Sequence, residues 1–185
     1  MAEEKAPSAK ERSQQLALER RAARLAAVQA LYQWEQTGAR PEAIIAEFGT
    51  HRLGKAAENK DLPPADRKLF AELVRGVSAG VEELDDMLSA ILTEDWSIER
   101  LESILRAIMR CGAFELAHRQ DVPPKVVISE YLAVADAFFS EKETGMTNAV
   151  LDKLAQSLRP GGLEKGGLEK SGSDKGTGRG GHSTK

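Results

Sequence analysis

The stretch Arg20-Arg21-Ala22-Ala23-Arg24-Leu25-Ala26-Ala27-Val28-Gln29-Ala30-Leu31-Tyr32 sets the reading of the whole chain. Ala, Leu, Arg and Gln dominate it, and these residues lose least on entering a helix. Leu18, Leu25, Val28 and Tyr32 recur at intervals of 7, 3 and 4 residues, which aligns them along one side of a helix. On the same projection Arg20 and Arg24 stand together on a neighbouring face, and Arg21 falls nearer the apolar side. The segment is therefore expected to be a helix anchored through its C-terminal part, with guanidinium groups on offer at its N-terminal part. Such a cluster suits an RNA backbone, because each guanidinium can grip phosphate oxygens bidentately and stack on a base. The same spacing also describes a solvated helix face carrying cations, and spacing alone does not separate the two.

Working outward, this first helix is expected from roughly Ser13 to Gln36, with Thr37-Gly38 as its stop. Residues 1–13 mix charge with Ala, Ser and Pro7 and read as a flexible extension. Pro41 suits the first position of a second helix burying Ile44, Ile45 and Phe48. A polar connection from Gly49 to Pro63, containing His51, is long for a link between helices. After Pro64-Ala65-Asp66, Leu69, Leu73, Val77, Val81, Leu84, Leu88 and Ile91 recur at helical intervals, with Gly76 and Gly80 able to bend the run or admit a neighbour. Asp95 or Ser97 can cap the next helix, whose buried stripe is Leu101, Ile104, Leu105, Ile108 and Met109. Pro123-Pro124 opens a helix with two apolar stripes, one of Val127, Tyr131, Val134 and Phe138 and one of Ile128, Leu132, Ala135 and Phe139. A final helix carries Val150, Leu151, Leu154 and Leu158 and ends at Pro160-Gly161-Gly162.

Beyond this point Gly-Gly-Leu-Glu-Lys occurs at 161–165 and again at 166–170, and residues 161–185 are too rich in Gly to offset their ordering entropy. They are expected to form a disordered tail. No segment alternates apolar and polar residues long enough to suggest a strand. The expected fold is all-α, a compact bundle of about six or seven helices over residues 14–160.

Composition narrows the function. A chain of 185 residues fits one domain with a real core, and its net charge of −3 means that any RNA binding must come from a local basic patch. The single Cys111 rules out an internal disulfide and fits a reducing cytoplasm. No apolar run approaches the ~18–20 residues needed to span a bilayer, and no apolar stretch of the secretory type follows Met1-Ala2-Glu3-Glu4-Lys5. His51, His118, His182 and Cys111 lie too far apart in sequence for zinc-site spacing, and no phosphate-cradling Gly loop or Gly-x-Ser-x-Gly nucleophile turn occurs. Cys111 reads as a small core residue, and Glu82-Glu83 with Asp85-Asp86 as a solvated face. No catalytic residue, metal or cofactor is expected.

Four segments carry a resemblance. Arg20-Arg21-Ala22-Ala23-Arg24 followed by Val28-Gln29-Ala30-Leu31-Tyr32 resembles the arginine-rich first helix of the NusB transcription antitermination factors. Arg106-Ala107-Ile108-Met109-Arg110 with Phe114-Glu115-Leu116 resembles a second family signature, as does Val122-Pro123-Pro124-Lys125-Val126-Val127-Ile128-Ser129-Glu130. Thr147-Asn148-Ala149-Val150-Leu151-Asp152-Lys153-Leu154 is similar to the closing motif. All occur in the family's order, between about Arg20 and Pro160.

The resemblance implies binding of the boxA element of nascent RNA together with NusE, the small-subunit ribosomal protein. It further implies that the complex helps RNA polymerase, with other Nus factors, to resist termination on ribosomal RNA operons. Carried over residue by residue, Arg20, Arg21 and Arg24 would hold phosphates, and Gln29 and Tyr32 would line the RNA surface, with core packing the other role open to Tyr32. Met146 and Asn148 would lie near the RNA path. Three departures weaken those contacts: Ala22 replaces a third consecutive Arg, Met146 an aromatic residue, and Ala149 the Gly of Asn-Gly. Lys142 and Lys153 could compensate electrostatically. The family includes both monomers and homodimers. Two other roles stay open for such a chain: an accessory subunit for ribosomal RNA modification and a protein-binding helical adaptor.

Overall fold

The computed structural model describes residues 7–53, 64–93 and 95–162. Its described residues form seven α-helices: α1 (Ala9–Thr37), α2 (Pro41–His51), α3 (Arg67–Ala79), α4 (Val81–Ser89), α5 (Ser103–His118), α6 (Pro124–Asp136) and α7 (Glu141–Leu158). A short 3-10 turn, Ile98–Arg100, precedes α5. The all-α expectation holds, and none of these helices is long and apolar enough to cross a membrane. Residues 54–63 of the expected polar connection, residues 1–6 of the N-terminal extension and the tail beyond Gly162 lie outside the described residues.

α1 starts earlier than Ser13. Ser8 and Glu11 form a reciprocal capping box, with the Ser8 hydroxyl accepting from the Glu11 N–H and the Glu11 carboxylate accepting from the Ser8 N–H. That exchange satisfies two N–H groups that a helix start leaves unpaired. At the other end Gly38 takes a left-handed conformation (φ 63°) and its N–H returns to the Trp34 carbonyl, which is the stop read from Thr37-Gly38.

The expected apolar stripe of α1 faces the wrong way. Leu18, Leu25 and Tyr32 are 46%, 36% and 41% exposed, while Ala23, Ala26, Ala27, Val28, Ala30 and Leu31 are buried. Small side chains let α3 and α5 approach this helix closely, so an alanine face, weak on any hydropathy scale, forms the seam. The run after Asp66 divides into α3 and α4 at Gly80 instead of continuing. At Gly76 a methyl group would sit 2.2 Å from two Phe114 ring carbons, so the approach of α3 to α5 depends on that residue having no side chain.

α5 lies at the centre of the bundle, with ten buried residues, and packs against α1, α3, α4, α6 and α7. α6 buries Val127, Ile128, Tyr131, Val134 and Ala135, as its double stripe implies, but the helix ends before Phe138, which is 44% exposed. Ala149 stands in the helical interior of α7. The replacement of Gly therefore forfeits no left-handed backbone there.

Candidate nucleic-acid interface

The N-terminal half of α1 extends beyond the bundle, and every residue from Ala9 to Leu18 is exposed. The helix meets the body at Glu19, whose carbonyl accepts the Asp66 N–H at 3.0 Å just before α3. Arg20 and Arg21 follow at this junction, both exposed. Arg20 lies near enough to Asp121, in the α5–α6 turn, to help hold that carboxyl down at about 2, after the larger effect of its hydrogen bonds from Arg119. Arg21 Nε stands 3.5 Å from Oε2 of Glu130 on α6.

Arg24 has a different place from the one its spacing suggested. It shares a face with Arg20, but from residue 23 onward that face is covered by the bundle, and Arg24 is only 3% exposed. Its Nε and Nη2 donate to the two carboxylate oxygens of Glu115 at 2.7 and 2.8 Å, and its Nη1 lies 3.6 Å from Glu130 Oε2. The Tyr131 hydroxyl also donates to Glu115, at 2.7 Å. Burial disfavours the Arg24 charge, yet the bonds and field of Glu115 outweigh it and hold the guanidinium more strongly protonated than an ordinary arginine. The structure thus places Arg24 as a buried tie between α1 and α5, not on the solvent face expected for a phosphate contact. The exposed arginines at this junction of α1 are Arg20 and Arg21.

The same cluster predicts an alkaline limit to stability. Burial pushes the Cys111 thiol and the Tyr131 phenol up from ordinary values of 9.0 and 10.0, and the Glu115 carboxylate beside them pushes the same way. The folded protein keeps these protons where the unfolded chain releases them, so stability holds below about pH 9 and falls as pH rises further, by about 1.4 kcal/mol per pH unit for each group. Urea unfolding at pH 8, 9.5 and 10.5 tests this. Cys111→Ala is expected to flatten the decline between pH 9 and 10, whatever its effect on stability at pH 8.

Farther along α1, Gln29 and Tyr32 do come together. They line an open groove of about 520 Å3 with Val28, Gln36, Arg52 and Phe138 among its walls. Gln36 is engaged with Ser103, and the Arg52 guanidinium lies over the Phe48 ring at 4.5 Å. Tyr32 and Phe138 thus offer exposed ring surface beside amides and a cation, a combination on which unpaired bases can stack. The core-packing role left open for Tyr32 does not apply.

Met146 and Asn148 sit apart, on α7, which contributes nothing to the walls of that groove. Met146 is partly buried against the core, and Asn148 is exposed. Lys142, at the start of the same helix, lies over the ring of Trp96, from the segment between α4 and the 3-10 turn, at 5.1 Å. Sequence reading missed Arg52, Phe138, Glu115 and Glu130 as parts of the site. Glu115 did leave a signal, being a carboxylate in line with Ile108 and Cys111 on an otherwise apolar face of its helix. Arg52 left none.

Comparison with known proteins agrees with this architecture. The profile described as NusB family matches residues 21–156. The transcription antitermination protein NusB of Rhodopseudomonas palustris (strain BisB18) is 49% identical over 140 residues, covering 76% of this chain and 83% of that protein. Its counterpart in Bradyrhizobium diazoefficiens is also 49% identical, covering 76% and 85%. Among solved structures, T. maritima NusB superposes with a TM-score of 0.61 at 27% identity, covering 78% of this chain and 96% of its own. A chain from the crystal structure of the antitermination factors NusB and NusE in complex with double-stranded RNA gives 0.60 at 26%, covering 75% and 97%. The chain belongs to the NusB family.

Proposed function

We propose that this protein is a transcription antitermination factor that binds boxA-type single-stranded RNA of nascent ribosomal RNA transcripts together with NusE, and so helps RNA polymerase resist termination. The observation that carries this reading is the junction on α1, where Arg20 and Arg21 are exposed in a protein of net charge −3. Local cations on an acidic molecule favour selected contacts over general attraction to nucleic acid. Gln29 and Tyr32 extend the surface along the same helix, about 18 Å from Arg20 to Tyr32 at 1.5 Å per residue, and Phe138 enlarges its aromatic part. On this reading the factor acts in the cytoplasm, positions RNA and protein partners, and catalyses nothing itself. The relation to a NusB–NusE–RNA assembly supports the partner assignment.

The test is binding of a labelled boxA-type RNA against a scrambled control, with and without NusE, across a salt series. Sequence-selective binding that NusE strengthens is the expected result. Equal, weak binding to both RNAs, unchanged by NusE, would overturn it and favour a protein-binding adaptor.

A further inference from the structure

The Glu130 carboxylate occupies an unusual position. Its Oε2 is shielded from water and accepts no hydrogen bond among the described residues, although two guanidinium groups approach it, Arg21 at 3.5 Å and Arg24 at 3.6 Å. Arg24 does not depend on it, because Glu115 already takes two of its N–H groups at bonding distance. Arg21 has no such second carboxylate among the described residues, and its side chain is 55% exposed. Glu130 therefore neutralises the guanidinium that faces solvent, at a distance too long for a hydrogen bond that would hold the pair firmly.

We infer that Glu130 is an internal competitor for the phosphate that Arg21 takes, and so sets how strongly this end of α1 holds RNA. This rests on the RNA-binding reading above. A phosphate arriving at Arg21 must draw the guanidinium from Glu130 and then sit near that carboxylate, where like charges repel. The opposition acts on any phosphate, whatever base it carries, because backbone contacts hold no sequence information. The carboxylate thus weakens the sequence-blind part of binding and leaves discrimination to base contacts elsewhere.

Glu130→Gln keeps the side-chain shape and removes the charge, and Arg24 retains Glu115. The variant is expected to bind boxA-type and scrambled RNA more tightly by the same factor, roughly two- to fivefold at low salt, as suits an ion pair whose guanidinium faces solvent. Glu130→Met is expected to do likewise, which separates loss of charge from any new contact of the amide. In an Arg21→Ala background the gain is expected to vanish. Unchanged or weakened binding in both Glu130 variants, with thermal midpoints near that of the parent, would overturn the inference. So would a gain that survives removal of Arg21. If instead Arg20→Ala/Arg21→Ala leaves RNA binding intact, the location of the RNA surface is what fails.

Discussion

Glu115→Ala is expected to destabilise the fold by about 3–5 kcal/mol, the range for removing one partner from a buried ion pair. Glu115 is fully buried and its carboxylate receives three hydrogen bonds, two from Arg24 and one from Tyr131. Its removal strands a guanidinium and a phenol where water does not reach them, and an unpaired buried charge costs more than the bond it lost. Arg24→Ala should cost a similar amount, because it leaves the carboxylate in the same position. Replacing both at once, as in Arg24→Met/Glu115→Leu, is expected to recover much of the loss, since no orphaned charge remains. Urea unfolding of the four proteins at pH 7 compares these losses directly. Single variants within about 1 kcal/mol of the parent would show that the pair is held more loosely than its geometry indicates.

That expectation also marks where the sequence stopped being informative. The helices themselves were legible: Pro41 and Pro123-Pro124 opened them, Gly38 closed one, and apolar residues at intervals of 3 and 4 ran through α3, α5, α6 and α7. The orientation of α1 was not. Periodicity gives the sides of a helix, but which side is buried depends on what packs there. Leu18, Leu25 and Tyr32 outweigh alanines in hydropathy, whereas a close helix–helix seam favours the alanines. Periodicity that buries the leucine side leaves Arg24 on the solvent face along with Arg20. The break at Gly80 was foreseen only as a bend, because leucine spacing continues across it.

The site divides in the same way. Arg20, Arg21, Gln29 and Tyr32 are all exposed along α1. The spacing of Phe138 continues the stripe of Val127, Tyr131 and Val134, but the helix stops at Asp136 and leaves it outside the core. Arg52 enters the groove through a turn after α2, which no local pattern specifies. Contacts that join distant segments, such as Arg24 with Glu115, 91 residues apart, belong to the tertiary fold and have no periodic signature.

The separation of exposed from buried arginines leads to the second large effect. Arg20→Ala and Arg21→Ala are each expected to weaken boxA-type RNA binding roughly tenfold at low salt, about 1.4 kcal/mol for a charged hydrogen bond to phosphate. Each should also reduce the magnitude of the log–log salt slope by about 0.7, the value for one phosphate on a single strand. Together they are expected to remove about 1.4 from that slope, with thermal midpoints near that of the parent because both side chains are exposed. Arg24 should behave in the opposite way. In Arg24→Met/Glu115→Leu, the charge is gone but the fold is retained, so the salt slope should match the parent's. Three equal decrements from Arg20, Arg21 and Arg24 would mean that Arg24 leaves Glu115 when RNA binds. A decrement from Arg20 and Arg21 alone places the phosphate path at the α1 junction and makes Arg24 the tie that holds that junction in position.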